Sequence, residues 1–229
     1  QRLSEVSTYR AQLESTLVSN IQLVRGLAVA VSAEPNLQQA RFEQIAAPLF
    51  KTSNELRNIG GAPNMIIKMM YPLENNKAAI GLNFLETKNQ RLDAIRARDT
   101  NSIVMAGPLK LIQGEIALIA RVPVYIPPNN TFWGLLSVVL DIDKVYKNSG
   151  ILELESEYNV ALQGRHGLGK KGEFFYGDQN IIEQNPLEFT LSFKGGNWQL
   201  YVICITNYLY HNLLYFAIQE EKLNLLKNN

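Results

Sequence analysis

The sequence predicts an α+β protein in which a long N-terminal stalk helix precedes two small tandem units, each with an antiparallel sheet. Three observations predict this class: an unbroken helical pattern at the start, a strand-rich middle punctuated by Gly and Pro, and a second strand set after a short helix. No helical crossover separates the later strands, which excludes a parallel doubly wound sheet. At roughly 150 residues per domain, the 229 residues fit one large domain or two small ones.

The first element is a helix of about 30 residues, from Leu3 to Val31. No proline precedes Pro35, and Gly26 is the single glycine before it. Apolar residues repeat every seven positions, with Arg10 and Asn20 as polar breaks. One heptad position holds Leu3, Leu17, Val24 and Val31, and the other holds Val6, Leu13 and Leu27. Such a seam packs either on the chain's own domain or against a second copy, with Asn20 fixing the register of a dimeric stalk.

A second helical pattern runs from about Leu37 to Arg57, with a kink or break expected at Pro48. Gly60, Gly61 and Pro63 then punctuate the chain. The expected buried face of this helix consists of Phe42, Ile45, Ala46, Leu49, Phe50 and Leu56.

Strands dominate the next part of the chain, beginning with a half-buried strand from Met65 to Tyr71. Thr87 and Gln90 have capping-box spacing at the start of a helix through Asp99. Further strands are predicted at Ile103 to Ala106, Leu109 to Ile112, Ile116 to Ile126 and Phe132 to Ile142. They are separated by turns at Gly107-Pro108, Gly114 and Pro127-Pro128-Asn129-Asn130.

A short helix from Asp141 to Gly150 connects the first strand set to a second one. Its strands are predicted at Tyr158 to Gln163, Glu173 to Tyr176, Leu187 to Phe193 and Trp198 to Ile205. The tail from Asn207 to Asn229 has a helical pattern, but His211, Asn212 and Glu220 argue against a complete membrane span. We expect this tail to be the start of a membrane helix or vector-derived sequence.

The composition excludes several classes of protein. The 22 basic and 21 acidic residues are scattered, so we expect no nucleic-acid partner. A single cysteine, Cys204, excludes an intramolecular disulfide framework and a multi-thiolate zinc site, and we expect no cofactor and no metal. Uninterrupted apolar runs are far shorter than the ~20 residues of a membrane helix. Because the chain begins with Gln1, we expect it to be a piece of a longer protein.

The segment from Gly164 to Lys171 is one residue away from a phosphate-binding loop. Lys171 stands where a hydroxyl must bind magnesium, and a strand follows in place of a helix. A basic hairpin is therefore favoured, although a nucleotide-binding or hydrolytic enzyme remains the alternative. Asp141 and Asp143 indicate a helix start, and Cys204 indicates a buried strand residue. We find no catalytic constellation.

Two polar residues interrupt apolar runs and are the first candidates for a binding site. Arg121 separates Ile116–Ala120 from Val122–Tyr125, and Asn83 stands between Leu82 and Phe84. A buried polar side chain needs a partner, which a ligand could supply, whereas alternation along a strand could also turn either residue to solvent.

Several blocks in order resemble a known family between about residues 42 and 145. The blocks are Tyr71-Pro72-Leu73, Ile80-Gly81-Leu82-Asn83, Arg96-Ala97-Arg98-Asp99-Thr100, Gly107-Pro108-Leu109-x-Leu111-x-Gln113-Gly114, Val122-Pro123-Val124-Tyr125 and Phe132-Trp133-Gly134. They are similar to the CHASE domain, the extracytoplasmic sensory region of bacterial receptors and of plant cytokinin-receptor histidine kinases. The resemblance implies a stalk helix and two PAS-like units, with ligand in the membrane-distal unit.

The resemblance also implies the site residues. Carried over, the ligand pocket is lined by Asn83, Met105 and Arg121, with Tyr71 and Leu109 as weaker candidates. Asn83 replaces the aspartate with which plant members bind adenine-type ligands, and Arg121 stands where they have threonine. Since both changes favour negative charge in the ligand, we expect an anionic or carboxylate-bearing small molecule and not a cytokinin.

The expected organisation follows from the same resemblance: residues 1–36 as the stalk, 37–141 as the distal unit, 142–206 as the connector helix and proximal unit, and 207–229 as the tail. The chain would be a non-enzymatic sensor of a transmembrane histidine kinase or of a diguanylate cyclase or phosphodiesterase. It would dimerise through the stalk and lie in the periplasmic or extracellular portion of an inner-membrane protein. The remaining alternative is a dimerisation module without a ligand.

Overall fold

The computed structural model describes residues 2–111 and 115–205, which form a long helix and two antiparallel sheets. The helices are α1 (Arg2–Ala33), α2 (Gln39–Thr52), α3 (Arg91–Thr100), α4 (Ile142–Asn148) and α5 (Ile151–Leu154). The first sheet contains β1 (Leu56–Pro63), β2 (Met69–Tyr71), β3 (Val104–Lys110), β4 (Ile116–Ile126) and β5 (Thr131–Asp141), in the order β2-β1-β5-β4-β3. The second contains β6 (Tyr158–Gln163), β7 (Phe174–Tyr176), β8 (Leu187–Phe193) and β9 (Gly196–Cys204), in the order β7-β6-β9-β8. The predicted α+β class is confirmed, while the turn at Gly114 and the tail from Asn207 lie outside the described residues.

The seam of α1 packs on the chain's own two sheets, because α1 contacts both β4 and β8. Its members Val6, Leu13, Leu17, Ile21, Val24, Leu27 and Val31 are at most 2% exposed, whereas Leu3 is 59% exposed. The contacts of Asn20 lie within the chain: its Oδ1 is 2.5 Å from Ser53 Oγ, and its Nδ2 donates to the Thr16 carbonyl (2.8 Å). By length and composition alone, Leu3–Ala33 within α1 is also apolar enough to cross a membrane, with a mean hydropathy of 1.3.

The expectation for residues 53–63 was wrong, because α2 ends at Thr52 and Leu56–Pro63 is a strand inside the first sheet. Pro48 lies within α2 without ending it. The glycine pair marks close packing and not a break: a Cβ on Gly61 would lie 3.0 Å from Met69 Cε and 3.2 Å from Phe42 Cε2. Local propensity predicted a turn, and packing against β2 and α2 made a strand.

The region before α3 also differs from the prediction. β2 is confined to Met69–Tyr71 because Asn64 and Met65 have positive φ values of 52° and 70°. The capping box is not formed: Gln90 is the N-cap residue of α3, but its side chain does not cap the helix. Thr87 donates instead to the Asn83 carbonyl (2.8 Å), and the Gln90 side chain accepts a hydrogen bond from Arg121.

The first sheet has two different faces because side chains alternate along its strands. The face toward α1 is apolar and includes Ile59, Met105, Leu118, Ala120, Val122, Leu136 and Val138. The opposite face is covered by the segment 72–90 and by α3, which contacts β3, β4 and β5. This second face carries Asn58, Arg121 and Ser137, three polar residues at most 5% exposed.

The connector and the second sheet agree with the sequence. Asp141 caps α4 by accepting from the Lys144 backbone N–H (3.2 Å), so the two aspartates mark a helix start as expected. β8 and β9 form a hairpin through Lys194 and Gly195. Cys204 lies in β9 and is partly buried.

Candidate functional site

A small cavity lies between the second face of the first sheet and its covering segment. Its volume is about 40 Å³. It is lined by Asn58, Ile67, Met70, Ala79, Leu82, Phe84, Gln90, Leu111, Ile119, Ser137 and Val139. Since one water needs roughly 10–15 Å³, the cavity has room for a few water molecules. A larger ligand requires the covering segment 72–90, called the cover below, to move.

Arg121 lies directly behind the wall of this cavity and is 0% exposed. Its Nη1 donates to Ser137 Oγ (2.5 Å), and its Nη2 donates to Gln90 Oε1. The guanidinium carbon lies 4.1 Å from the centroid of the Phe84 ring, which is a cation–π contact. Ser137, Gln90 and Phe84 all line the cavity, so displacing any of them would expose the guanidinium to a ligand.

The charged side chain of Arg121 is buried and is hydrogen-bonded to the neutral oxygens of Ser137 and Gln90. Burial lowers the pKa of Arg121 to about 10, and the negative charge of Asp93 acts in the opposite direction. The guanidinium therefore remains protonated at neutral pH. Asp93 pairs with Arg96 and His166, and within the described residues Arg121 forms no ion pair and its Nε has no hydrogen-bond partner. A buried, unpaired cation is costly, so this site favours an anion.

A buried pair of amides anchors the cover to the sheet. Asn58 Nδ2 donates to Asn76 Oδ1 (2.9 Å), and Asn76 Nδ2 donates to the Pro72 carbonyl (2.8 Å). Asn76 belongs to a 3₁₀ helix over Glu74–Ala79, and both asparagines are less than 8% exposed. These bonds fix one end of the cover over the cavity.

Three of the five residues predicted for the site lie at or near the cavity. Arg121 is behind its wall, and Leu109 packs on the same face with Ile119 and Val139. Asn83 lies in the cover, where its Oδ1 accepts from the Leu85 backbone N–H (3.0 Å). Its two chain neighbours line the cavity, but its own side chain shapes a turn.

The other two predicted residues lie on the opposite face of the sheet. Met105 is fully buried in the core that packs on α1, because β3 turns its neighbours Val104 and Ala106 toward the cavity side. Tyr71 packs edge-on against Phe50 of α2, with ring centroids 4.9 Å apart. The structure therefore does not bring Met105 and Tyr71 together with Arg121.

Sequence reasoning missed the polar partners Gln90, Ser137 and Asn58. Ser137 pairs directly with Arg121 in the β4–β5 register, so a serine inside the apolar run of β5 was an available signal. No such signal was available for Asn58, because the strand that contains it was not predicted. Gln90 was assigned to a capping box, a local pattern that the long-range bond to Arg121 overrides.

Larger grooves also lie elsewhere in the described part of the chain, among them three that Arg121 does not line. They measure about 260, 480 and 640 Å³ and are open to solvent. The glycine-rich segment from Gly164 forms two short 3₁₀ turns, Arg165–Gly167 and Gly169–Lys171, followed by β7. It thus lacks the helix start that a phosphate-binding loop requires.

Comparison with known proteins adds a family and a set of similar folds. A family model described as the CHASE domain matches residues 7–176, whereas no curated protein sequence matches significantly. The ligand-binding domain of the Pseudomonas aeruginosa PAO1 amino acid chemoreceptor PctC, in complex with GABA, has a TM-score of 0.63 at 12% identity, covering 89% of this chain and 98% of that chain. The corresponding domain of PctB from the same organism, in complex with L-Arg, has a TM-score of 0.59 at 12% identity, with coverages of 88% and 92%.

A third similar structure comes from a longer protein. The extracellular ligand binding receptor from Desulfohalobium retbaense DSM5692 has a TM-score of 0.61 at 15% identity. The match covers 85% of this chain but 39% of that chain, so this chain spans well under half of that receptor. At these identities the three structures show a shared fold of a long helix and tandem antiparallel sheets. Because the family match extends over most of the residues, the chain belongs to the CHASE domain family and is an extracytoplasmic small-molecule sensor domain of a membrane receptor.

Proposed function

We propose that this sensor binds a small carboxylate-bearing ligand in its first unit and that Arg121 is the principal ligand-binding residue. The observation that carries the proposal is a fully buried, protonated guanidinium held by two neutral oxygens, those of Gln90 and Ser137. A ligand carboxylate that replaced the Gln90 oxygen would give the buried cation an anionic partner, in the two-pronged geometry that guanidinium and carboxylate groups share.

The ligands of similar folds support this chemical class. PctC was solved with GABA and PctB with L-Arg, and both ligands carry a carboxylate. The sensory domain of the Campylobacter jejuni chemoreceptor Tlp3 was solved with isoleucine, which carries one as well. A buried arginine beside the cavity suits a ligand carboxylate, and the other residues that line the cavity would select the rest of the ligand molecule.

In this proposal the cover opens to admit the ligand and closes over it. Asn83 and Leu109 border the bound ligand from the cover and from β3. Met105 and Tyr71, from the opposite face, affect binding only through the packing of the sheet. Because the cavity measures only about 40 Å³, the proposal requires the cover to move when a ligand enters.

We further propose the organisation of the parent receptor. Residues 1–36 form the stalk, 37–141 the membrane-distal unit, and 142–206 the connector and proximal unit, in a receptor of the inner membrane. Closure of the distal unit shifts α1 relative to β9, and the two ends of the domain pass that movement to a histidine kinase, diguanylate cyclase or phosphodiesterase. A homodimer would form through the outward face of α1, because the inward seam is buried within the chain.

A thermal-shift comparison tests the ligand site. We expect a set of small carboxylates to contain compounds that raise the melting temperature of the wild-type chain in a concentration-dependent way. Arg121→Gln should weaken their binding at least about tenfold, which is about 1.4 kcal/mol, because the cation is lost. Lys88→Gln is the control, since Lys88 is an exposed cation in the cover and should leave binding unchanged.

Two results would contradict the proposal. One is stabilisation by adenine-type compounds alone, which would favour a cytokinin-like ligand. The other is an unchanged carboxylate affinity in the Arg121→Gln variant, which would place the binding site elsewhere. If no compound class stabilised the chain, the ligand-free dimerisation module would become the better account.

A further inference from the structure

Helix α3 joins the cavity to the second unit through two residues one turn apart. Gln90, at its N-terminus, accepts the hydrogen bond from Arg121. Asp93, 7% exposed, lies three residues later and holds His166 Nδ1 at 2.5 Å and Arg96 Nη2 at 3.2 Å. Residues three apart lie on the same side of a helix, so a displacement at Gln90 reaches Asp93 through one rigid turn.

His166 belongs to a loop of the second unit, Gly164 to Gly172, that docks on the first unit. Arg165 Nη1 donates to the Pro108 carbonyl (2.5 Å), and Arg96 Nη2 donates to the His166 carbonyl (2.9 Å). The Gly107 backbone N–H lies 3.3 Å from His166 Nδ1. His166 has a φ of 61°, a left-handed conformation that non-glycine residues keep only where surrounding contacts hold it.

The glycines of this loop serve its packing. A Cβ on Gly169 would lie 2.1 Å from Asn197 Oδ1, and one on Gly167 would lie 2.8 Å from the Gly195 carbonyl oxygen. Gly195 in turn accepts from the Met105 backbone N–H of β3 (3.4 Å). The Gly164–Gly172 loop therefore packs between the β8–β9 hairpin and the first unit.

We propose that Asp93 is a positioning residue that couples occupancy of the cavity to docking of the Gly164–Gly172 loop. The inference rests on the proposed ligand site and adds its transmission route. When a ligand displaces Gln90 from Arg121, the first turn of α3 moves and the Asp93–His166 contact moves with it. Because linkage is reciprocal, weakening that contact also changes the affinity of the cavity.

A double-mutant cycle tests this coupling without any ligand. Amide hydrogen exchange is measured on peptides covering residues 158–176 in the wild-type chain, in Gln90→Ala, in His166→Ala and in the double variant. We expect each single substitution to raise the exchange rate of the loop at least threefold. In the double variant the rate should not exceed that of the faster single variant, because both substitutions release the same contact.

Leu92 provides the matched control, since it lies on the same helix and is 79% exposed. Leu92→Ala should leave loop exchange unchanged, alone or combined with His166→Ala. Asp93→Asn should reproduce the effect of His166→Ala, and Asp93→Glu should restore part of the protection because it keeps the carboxylate. Thermal melts of each variant separate local release of the loop from global unfolding.

The coupling is overturned if Gln90→Ala leaves loop exchange at the wild-type rate, or if the two single effects multiply in the double variant. The first result would mean that the loop docks independently of the cavity, and the second would mean that Gln90 and His166 act separately. The double-mutant cycle uses no ligand. If carboxylates failed to stabilise the chain, the ligand proposal would be refuted, but the hydrogen-exchange result could still be interpreted.

Discussion

At the scale of single residues, Arg121 determines the character of the cavity. Its pKa of about 10 lies below the ordinary arginine value of 12.5 because burial disfavours the charged form. The folded state is therefore penalised for holding this charge at every pH below about 10, and the penalty is relieved only as the pH rises above that value. This cost is consistent with the binding role that we propose for Arg121.

This leads to a prediction for Arg121→Met, which keeps the volume and removes the charge. Removing the buried charge stabilises the folded state. Leaving Gln90 and Ser137 without their hydrogen-bond donor destabilises it by about 1–3 kcal/mol. The free energy of unfolding in urea at pH 7 should therefore change by less than about 2 kcal/mol, while the carboxylate response is lost. A loss above about 4 kcal/mol would show that Arg121 is a structural residue.

The sequence allowed Arg121 to be predicted because one charge inside an apolar strand is visible without a structure. Met105 and Tyr71 lie on the opposite face from Arg121, which the sequence could not show because a family pattern gives positions along strands, whereas the face depends on register and alternation. Gln90 could not be predicted, since its partner is 31 residues away and a local capping pattern explains it equally well.

At the scale of elements, a polar junction joins α1, the end of α2 and α4. Ser53 Oγ lies 2.5 Å from Asn20 Oδ1 and 2.6 Å from Glu55 Oε2, and Asn148 Nδ2 donates to Glu55 Oε1 (2.7 Å). Burial acts to raise the pKa of Glu55, but the hydrogen bonds from Ser53, Asn148 and Asn20 outweigh it, so the pKa lies below its usual value. The junction holds the long helix against the first unit and its connector.

Glu55→Gln should therefore lower the melting temperature at pH 7, by at most about 4 °C, because the carboxylate is partly exposed. A lowered folded pKa gives stability that is present above the ordinary value of 4.5 and is lost as the pH falls through the folded value. The difference between wild type and variant should shrink in melts recorded below about pH 4.5. A difference that stays constant with pH would contradict this role.

Three strands, β4, β6 and β8, were predicted with their observed bounds because their own apolar residues mark them out in the sequence. β1 was missed because Gly60, Gly61 and Pro63 have the composition of a turn, whereas antiparallel pairing with β5 and β2 makes that segment a strand. Those contacts join residues that are distant in sequence. Local patterns therefore located the strands that carry their own apolar repeat and failed where packing decides.

At the scale of the whole molecule, one helix and one loop unite the two units. α1 packs on β4 of the first unit and on β8 of the second, while the Gly164–Gly172 loop returns from the second unit to β3. The heptad repeat alone left two partners open for α1, and burial of its seam decides for the chain itself. Together with the bond between Gly195 and Met105, these contacts are the routes by which we expect movement in one unit to reach the other.

The measurement that tests the central claim most directly is a crystal structure of the wild-type chain with the carboxylate that gives the largest thermal shift. The account predicts the ligand in the first unit, with its carboxylate within hydrogen-bond distance of the Arg121 guanidinium and with Gln90 displaced. A ligand bound in the second unit or in one of the open grooves, with Gln90 still bonded to Arg121, would contradict it.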